Sequence, residues 1–181
     1  MNSRKYLLGV NHAEGEEELA LEILRQNSCP NDLVAIELEP MTMGVFRNTI
    51  NQTIQDPERL KEILKKCKVP FSYYWTNLMR LTFLENLRLR FIPIDNRELI
   101  NKGINARSRD EYFSNYIIGR ERYFETMIKT YNPHGIIVGS EHVDFLSEKF
   151  PEYSIPYKTS DNDPSLSDQD RIRIKELRET H

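Results

Sequence analysis

The stretch from Pro133 to Phe150 constrains the fold more than any other part of the chain. Gly135 to Val138 is a short, β-branched apolar run, closed by Gly139-Ser140, after which Val143, Leu146 and Phe150 recur at helical spacing. This is the pattern of a strand, a tight turn and a helix, with His142 in the first helical turn. The start of the chain repeats it. Lys5 to Val10 reads as a strand that Gly9 breaks, and His12 stands just ahead of an acidic helical run. Gly-x-x-His therefore occurs twice, as Gly9-Val10-Asn11-His12 and as Gly139-Ser140-Glu141-His142. Strand-to-helix junctions of a parallel sheet share the edge at which ligands bind, so both histidines are expected to face one crevice.

Between these ends, further strands deliver carboxylates to the same edge. Leu33 to Leu38 is almost continuously apolar, as in a strand buried on both faces, and it ends in Glu37-Leu38-Glu39-Pro40. Burying an unpaired carboxylate is costly, so at least one of Glu37 and Glu39 is expected to point into the crevice. Leu89 to Ile94 is the next strand. Pro93 marks it as an edge strand or a strand end, and Asp95 follows it. Glu111 to Tyr131 reads as the longest helix. At roughly 100° per residue, Phe113, Tyr116, Ile117, Tyr123, Phe124, Met127, Ile128 and Tyr131 form one stripe, with Arg120 at its centre and Arg122 on the far side. A guanidinium in an apolar stripe needs an anionic partner, and the crevice acids would supply one.

The remaining segments complete the expected architecture. Glu14 to Asn27 is a helix, and Asn11 with Glu14 fits a capping-box start that would by itself account for the position of His12. Met41 to Asn86 reads as a helical insertion. Within it, Phe71 to Leu87 is dense in aromatic side chains, which suit either core packing or an exposed face serving as a lid or a homodimer contact. Pro151 to Tyr157 would be a last short strand. His134 precedes its strand and so belongs at the opposite edge from His142. Residues 158–181 are expected to be a polar, flexible tail with a frayed charged helix at its end. The expectation is one α/β domain over residues 1–157: a mainly parallel sheet of four or five strands flanked by helices, with the insertion at about 41–86.

With 39% hydrophobic and 29% charged residues in 181, the chain can bury one good core. A net charge of −3 gives no electrostatic case for nucleic acid. No run approaches the about 20 apolar residues of a membrane span, and a cytoplasmic location is expected. The two cysteines, Cys29 and Cys67, have no metal-ligand spacing and read as reduced, structural thiols.

His12, Glu37 (or Glu39), Asp95 and His142 at successive strand ends, with Arg120 reaching in from a helix, suit two chemistries. Two imidazoles with one or two carboxylates can hold a divalent transition metal such as Mn²⁺, Co²⁺ or Zn²⁺. Without metal, a His/Glu pair can do acid–base work while arginine stabilises an oxyanion. The order Gly9-x-x-His12, Val34 to Pro40, Arg120-Glu121-Arg122-Tyr123-Phe124 and Val138-Gly139-x-x-His142 resembles the TraB/TIKI group, which is related to ChaN-like and erythromycin-esterase-like proteins. The resemblance spans roughly Lys5 to Phe150 and carries the family's site onto His12, Glu37, Arg120 and His142. Two positions depart from the family pattern: Asn11, where a small hydroxyl residue is usual, and Glu141, where small residues are common. The resemblance implies a metal-dependent hydrolase cutting a peptide or other amide or ester bond, or a module that binds a peptide or small molecule in the same crevice.

Overall fold

β-Branched and aliphatic runs too short for helices, each followed by a turn signal, become parallel strands. In the computed structural model, which describes residues 4–13, 15–66, 72–159 and 166–180, these are β1 (Tyr6–Val10), β2 (Leu33–Ile36), β3 (Arg90–Pro93), β4 (Gly135–Gly139) and β5 (Ser154–Lys158). They form one sheet in the order β3-β2-β4-β1-β5, and every neighbouring pair is parallel. Between them run α1 (Glu16–Asn27), α2 (Pro40–Thr53), α3 (Pro57–Leu64), α4 (Ser72–Leu84), α5 (Arg97–Ile104), α6 (Arg109–Tyr112), α7 (Arg120–Tyr131) and α8 (Val143–Lys149). A last helix, α9 (Asp168–Thr180), follows β5. The result is a single-domain α/β fold.

Strand alternation sorts the core into two layers. Tyr6, Leu8, Val10, Val34, Ile36 and Ile137 face α1, α2 and α4. Leu7, Ala35, Ile136 and Val138 face the other way, onto Phe124 and Ile128 of α7 and Val143 and Leu146 of α8. A sheet covered on both faces must be apolar on both, which is why the central strands read as continuous hydrophobic runs. Pro93 lies in the edge strand β3, where its missing N–H costs no ladder bond. The chain leaves β1, skips one position to build β2 and β3, and returns to insert β4 between β1 and β2. That reversal opens a crevice at the C-terminal ends of β1, β2 and β4.

Several expectations are corrected. Gly9 lies inside β1 rather than breaking it. A Cβ there would sit 2.5 Å from Val143 Cγ2 and 3.2 Å from Ser140 Cα, so glycine allows the close approach of the turn after β4. Glu14 lies outside the described residues, and it is the Glu16 carboxylate that accepts the Asn11 and Ala13 N–H groups ahead of α1. The expected insertion is the β2–β3 crossover. Its α4 buries Tyr74, Trp75, Leu78 and Met79 and leaves Phe83 and Leu84 exposed, while Cys67 and Phe71 lie outside the described residues. The long helix is not uniform, because Phe113–Gly119 is π-helical between α6 and α7. The wider turn splits the expected stripe. Phe113, Ile117 and Ile118 pack on α9, whereas Phe124 and Ile128 pack on the sheet, and Tyr131 is exposed. The charged helix expected at the end of the tail is α9, and it is docked rather than frayed, with Ile174 and Leu177 buried against that π-helical segment; residues 160–165 lie outside the described residues. Among the described residues, no helix is long and apolar enough to cross a membrane.

Candidate metal centre

Glu37 is the first residue past β2. Its N–H donates to Ile137 O at 3.1 Å, continuing the ladder onto β4, and this pins the side chain over the crevice. Both carboxylate oxygens are engaged, Oε2 by the Gly139 N–H and Oε1 by Arg120 Nη2. Burial alone would push this carboxyl up. Arg120, the two nearby imidazoles and the Gly139 N–H outweigh it and hold the group well below the usual carboxylate range. Glu39, the alternative, is spent elsewhere: it caps α2 by accepting from the Met41 and Thr42 N–H groups and pairs with Arg97 at 2.7 Å.

Arg120 opens α7 directly after the π-helical turn, and only 3% of it is exposed. It grips Asp95 with two prongs, Nε to Oδ1 at 2.9 Å and Nη2 to Oδ2 at 2.6 Å, while Nη2 also serves Glu37. Its guanidinium stacks 4.7 Å from the Tyr116 ring centroid and 5.4 Å from that of Phe124. Through these bonds Arg120 positions Glu37 and Asp95, while its Nη1 reaches Tyr116 O at 3.5 Å. Asp95, for its part, is bound to Arg120 and stands outside the cluster of ligand atoms.

His142 ends a 3₁₀ turn, Ser140–His142, that follows β4, and its ring is fully buried. Nδ1 lies 3.2 Å from Glu121 Oε1. A carboxylate accepts, so Nδ1 carries a proton; when the ring is neutral, Nε2 presents its lone pair. Among the described residues, Nε2 makes no hydrogen bond. It faces Glu141 Oε1 at 3.5 Å and Glu37 Oε1 at 3.9 Å. Glu37, Glu141 and His142 each offer one ligand atom within 4.8 Å of the others. The Glu141 carboxyl is pushed up, by burial first and by the Glu37 charge, against the pull of His142. Burial lowers His142, but Glu141, Glu121 and Glu37 overcome it and raise the imidazole.

His12 lies apart from this trio. It has a left-handed backbone, φ 58°, just past β1, and its ring packs between Tyr74 (centroids 5.2 Å apart) and Trp75 (5.0 Å). It remains near enough to Glu37, Arg120 and His142 for their charges to act on it, and burial is the main cause of its lowered pKa. So the structure brings Glu37, Arg120, Asp95 and His142 into direct contact around one crevice, sets His12 beside them, and adds two residues that sequence reasoning missed. One is Glu141, which was visible only as a departure from the family pattern. The other is Glu121, fully buried next to Arg120, whose burial depends on α9 covering that side.

Charge explains what such a cluster can accept. Among the described residues, Arg120 pairs with Glu37 and Asp95 and Arg178 pairs with Glu121, which leaves two negative charges when Glu141 is ionised and the imidazoles are neutral. Two carboxylates and one imidazole with an open lone pair are the donor set of a divalent transition ion. Glu141 also lines a groove of about 580 Å³ between α8 and α9, together with Asp144, Phe145, Ile174, Lys175 and Arg178.

Fold and site together define an all-parallel α/β protein with a cluster that could hold a metal ion at the C-terminal edge of its sheet. No protein-family model, curated protein or solved structure matches the chain.

Proposed function

We propose that this chain is a metal-assisted hydrolase of the TraB/TIKI type, acting on a peptide or other amide or ester bond. The observation that carries the reading is the buried His142 Nε2, which makes no hydrogen bond among the described residues and faces two carboxylates. Glu37, Glu141 and His142 would hold the ion, and a Mn²⁺, Co²⁺ or Zn²⁺ ion there supplies Lewis acidity and an activated water. Arg120 fixes the Glu37 carboxylate, and Glu121 fixes the ring of His142. Glu141 is the ligand that reaches the groove, so substrate would meet the centre on its side. His12, whose pKa burial lowers, would supply a neutral imidazole near this set.

The test is a screen of ester and peptide substrates with and without added Mn²⁺, Co²⁺ or Zn²⁺. Turnover is expected only with metal, and Glu37→Gln, which nearly preserves shape while removing charge, should reduce it to background in a folded protein. Turnover undiminished in Glu37→Gln would place the activity at another site. No turnover together with a small molecule or peptide copurifying in the groove would make the chain a binding module.

A further inference from the structure

Glu121 is a carboxylate with no exposure, and such a charge is tolerable only when it is paired. Its partners come from two directions. From the sheet side, His142 Nδ1 approaches Oε1 at 3.2 Å. From the C-terminal helix, Arg178 donates Nε to Oε2 at 2.9 Å and Nη2 to Oε1. One oxygen therefore serves both the imidazole of the candidate centre and the guanidinium of α9. That helix is held elsewhere by Ile174 and Leu177 in the apolar patch of Phe113, Ile117 and Ile118, and by Asp170 with Arg109 and Arg173 with Asp110. It also forms one wall of the groove that Glu141 lines.

We propose that α9 tunes the candidate metal centre through Arg178: docked, the helix clamps Glu121, and Glu121 holds His142 with Nε2 aimed at Glu37 and Glu141. The inference rests on the metal reading above and gives Arg178 a positioning part. A carboxylate that orients a metal-bound histidine is itself oriented by a further bond, and loss of such outer support weakens metal binding by about 10- to 100-fold. Lysine keeps the charge but cannot reproduce the two-pronged grip. Coupling of this kind is reciprocal, so a metal that gains from a docked α9 must in turn hold α9 down.

Co²⁺ binding to the full chain, followed by calorimetry and by the visible absorption of the ion, tests this directly. Arg178→Met should lower Co²⁺ affinity by about 10- to 100-fold and alter the Co²⁺ spectrum. Arg178→Lys should recover part of the loss. Lys129→Met, which breaks an exposed pair within α7 instead of one that holds α9, should bind as the wild type does. In the unmodified protein, Co²⁺ should slow amide exchange across residues 168–180, a measurement that needs no variant to fold. Wild-type affinity and spectrum in Arg178→Met would overturn the coupling while leaving the metal site standing, and so would exchange in α9 that ignores the ion. No Co²⁺ binding by the wild type would overturn both.

Discussion

Arg120 shows how much of the site depends on one side chain. It is buried at 3% exposure between Glu37 and Asp95, and its removal would leave both carboxylates buried and repelling each other. Breaking a buried pair from one side costs about 3–5 kcal/mol, so Arg120→Met should lose that much in urea unfolding; a loss near zero would mean that water reaches the two acids. Gly139 makes the opposite point. Its φ of −56° suits any residue, yet a Cβ would fall 2.6 Å from Glu141 Oε2 and 2.7 Å from Oε1. A carboxylate at the end of a flexible side chain can swing away, so Gly139→Ala should change stability by less than about 1 kcal/mol while displacing Glu141 and weakening metal binding. Unchanged Co²⁺ affinity in that variant would remove Glu141 from the ligand set. At this scale Glu37, Arg120 and His142 were legible because a charge or imidazole at the end, or on the face, of an apolar element demands a reason. Glu141 was not, since an acid in the first turn of a helix is ordinary.

Among the elements, the strands were readable and the helix facing the site only partly so. Apolar runs with turn signals located the central strands β1, β2 and β4, because burial on both faces leaves a dense local signature, and Pro93 marked the edge strand β3. The π-helical turn at Phe113–Gly119 leaves no such mark: one residue more per hydrogen-bonded ring shifts the register, and a uniform helical wheel cannot represent it. Missing the docking of α9, whose helix was expected, had a related cause. Its buried face is only Asp170, Ile174 and Leu177, too sparse against the charges around it to stand out. Ion pairs therefore matter to its attachment, and they set its response to acid. The Asp170 carboxyl is held far below the usual range by Arg109 first and then by Ser167, and Asp110, paired with Arg173, is lowered as well. A depressed carboxyl contributes stability that is complete above its unfolded value and is lost only as pH falls through the folded one. Amide exchange in α9 should thus stay slow down to about pH 4. Asp170→Asn should exchange faster near neutrality, with the difference shrinking only under stronger acid. Exchange that quickens between pH 6 and 5 in the wild type would point to a different anchor.

For the molecule as a whole, the reversal of strand order is what turns scattered residues into a centre. Glu37 and the Ser140–His142 turn come from positions far apart in the chain and meet because β4 inserts between β1 and β2. The charge imbalance they create should be visible as a property of the entire fold. An ion that binds the folded chain and not the unfolded one stabilises it by about 2.7 kcal/mol when present at 100 times its Kd. For a chain of this size, 1 kcal/mol moves Tm by about 2–4 °C, so saturating Mn²⁺, Co²⁺ or Zn²⁺ should raise Tm by roughly 5–11 °C. His142→Ala should abolish the rise, since Nε2 is the open donor. His12→Ala should keep it, because His12 packs between Tyr74 and Trp75 outside the cluster of ligand atoms. Loss of the shift in both variants would return His12 to the ligand set that the two Gly-x-x-His motifs suggest. A shift that survives His142→Ala at full size would place the ion at other carboxylates, and the crevice would then be left to acid–base chemistry by Glu37, Glu141 and the imidazoles.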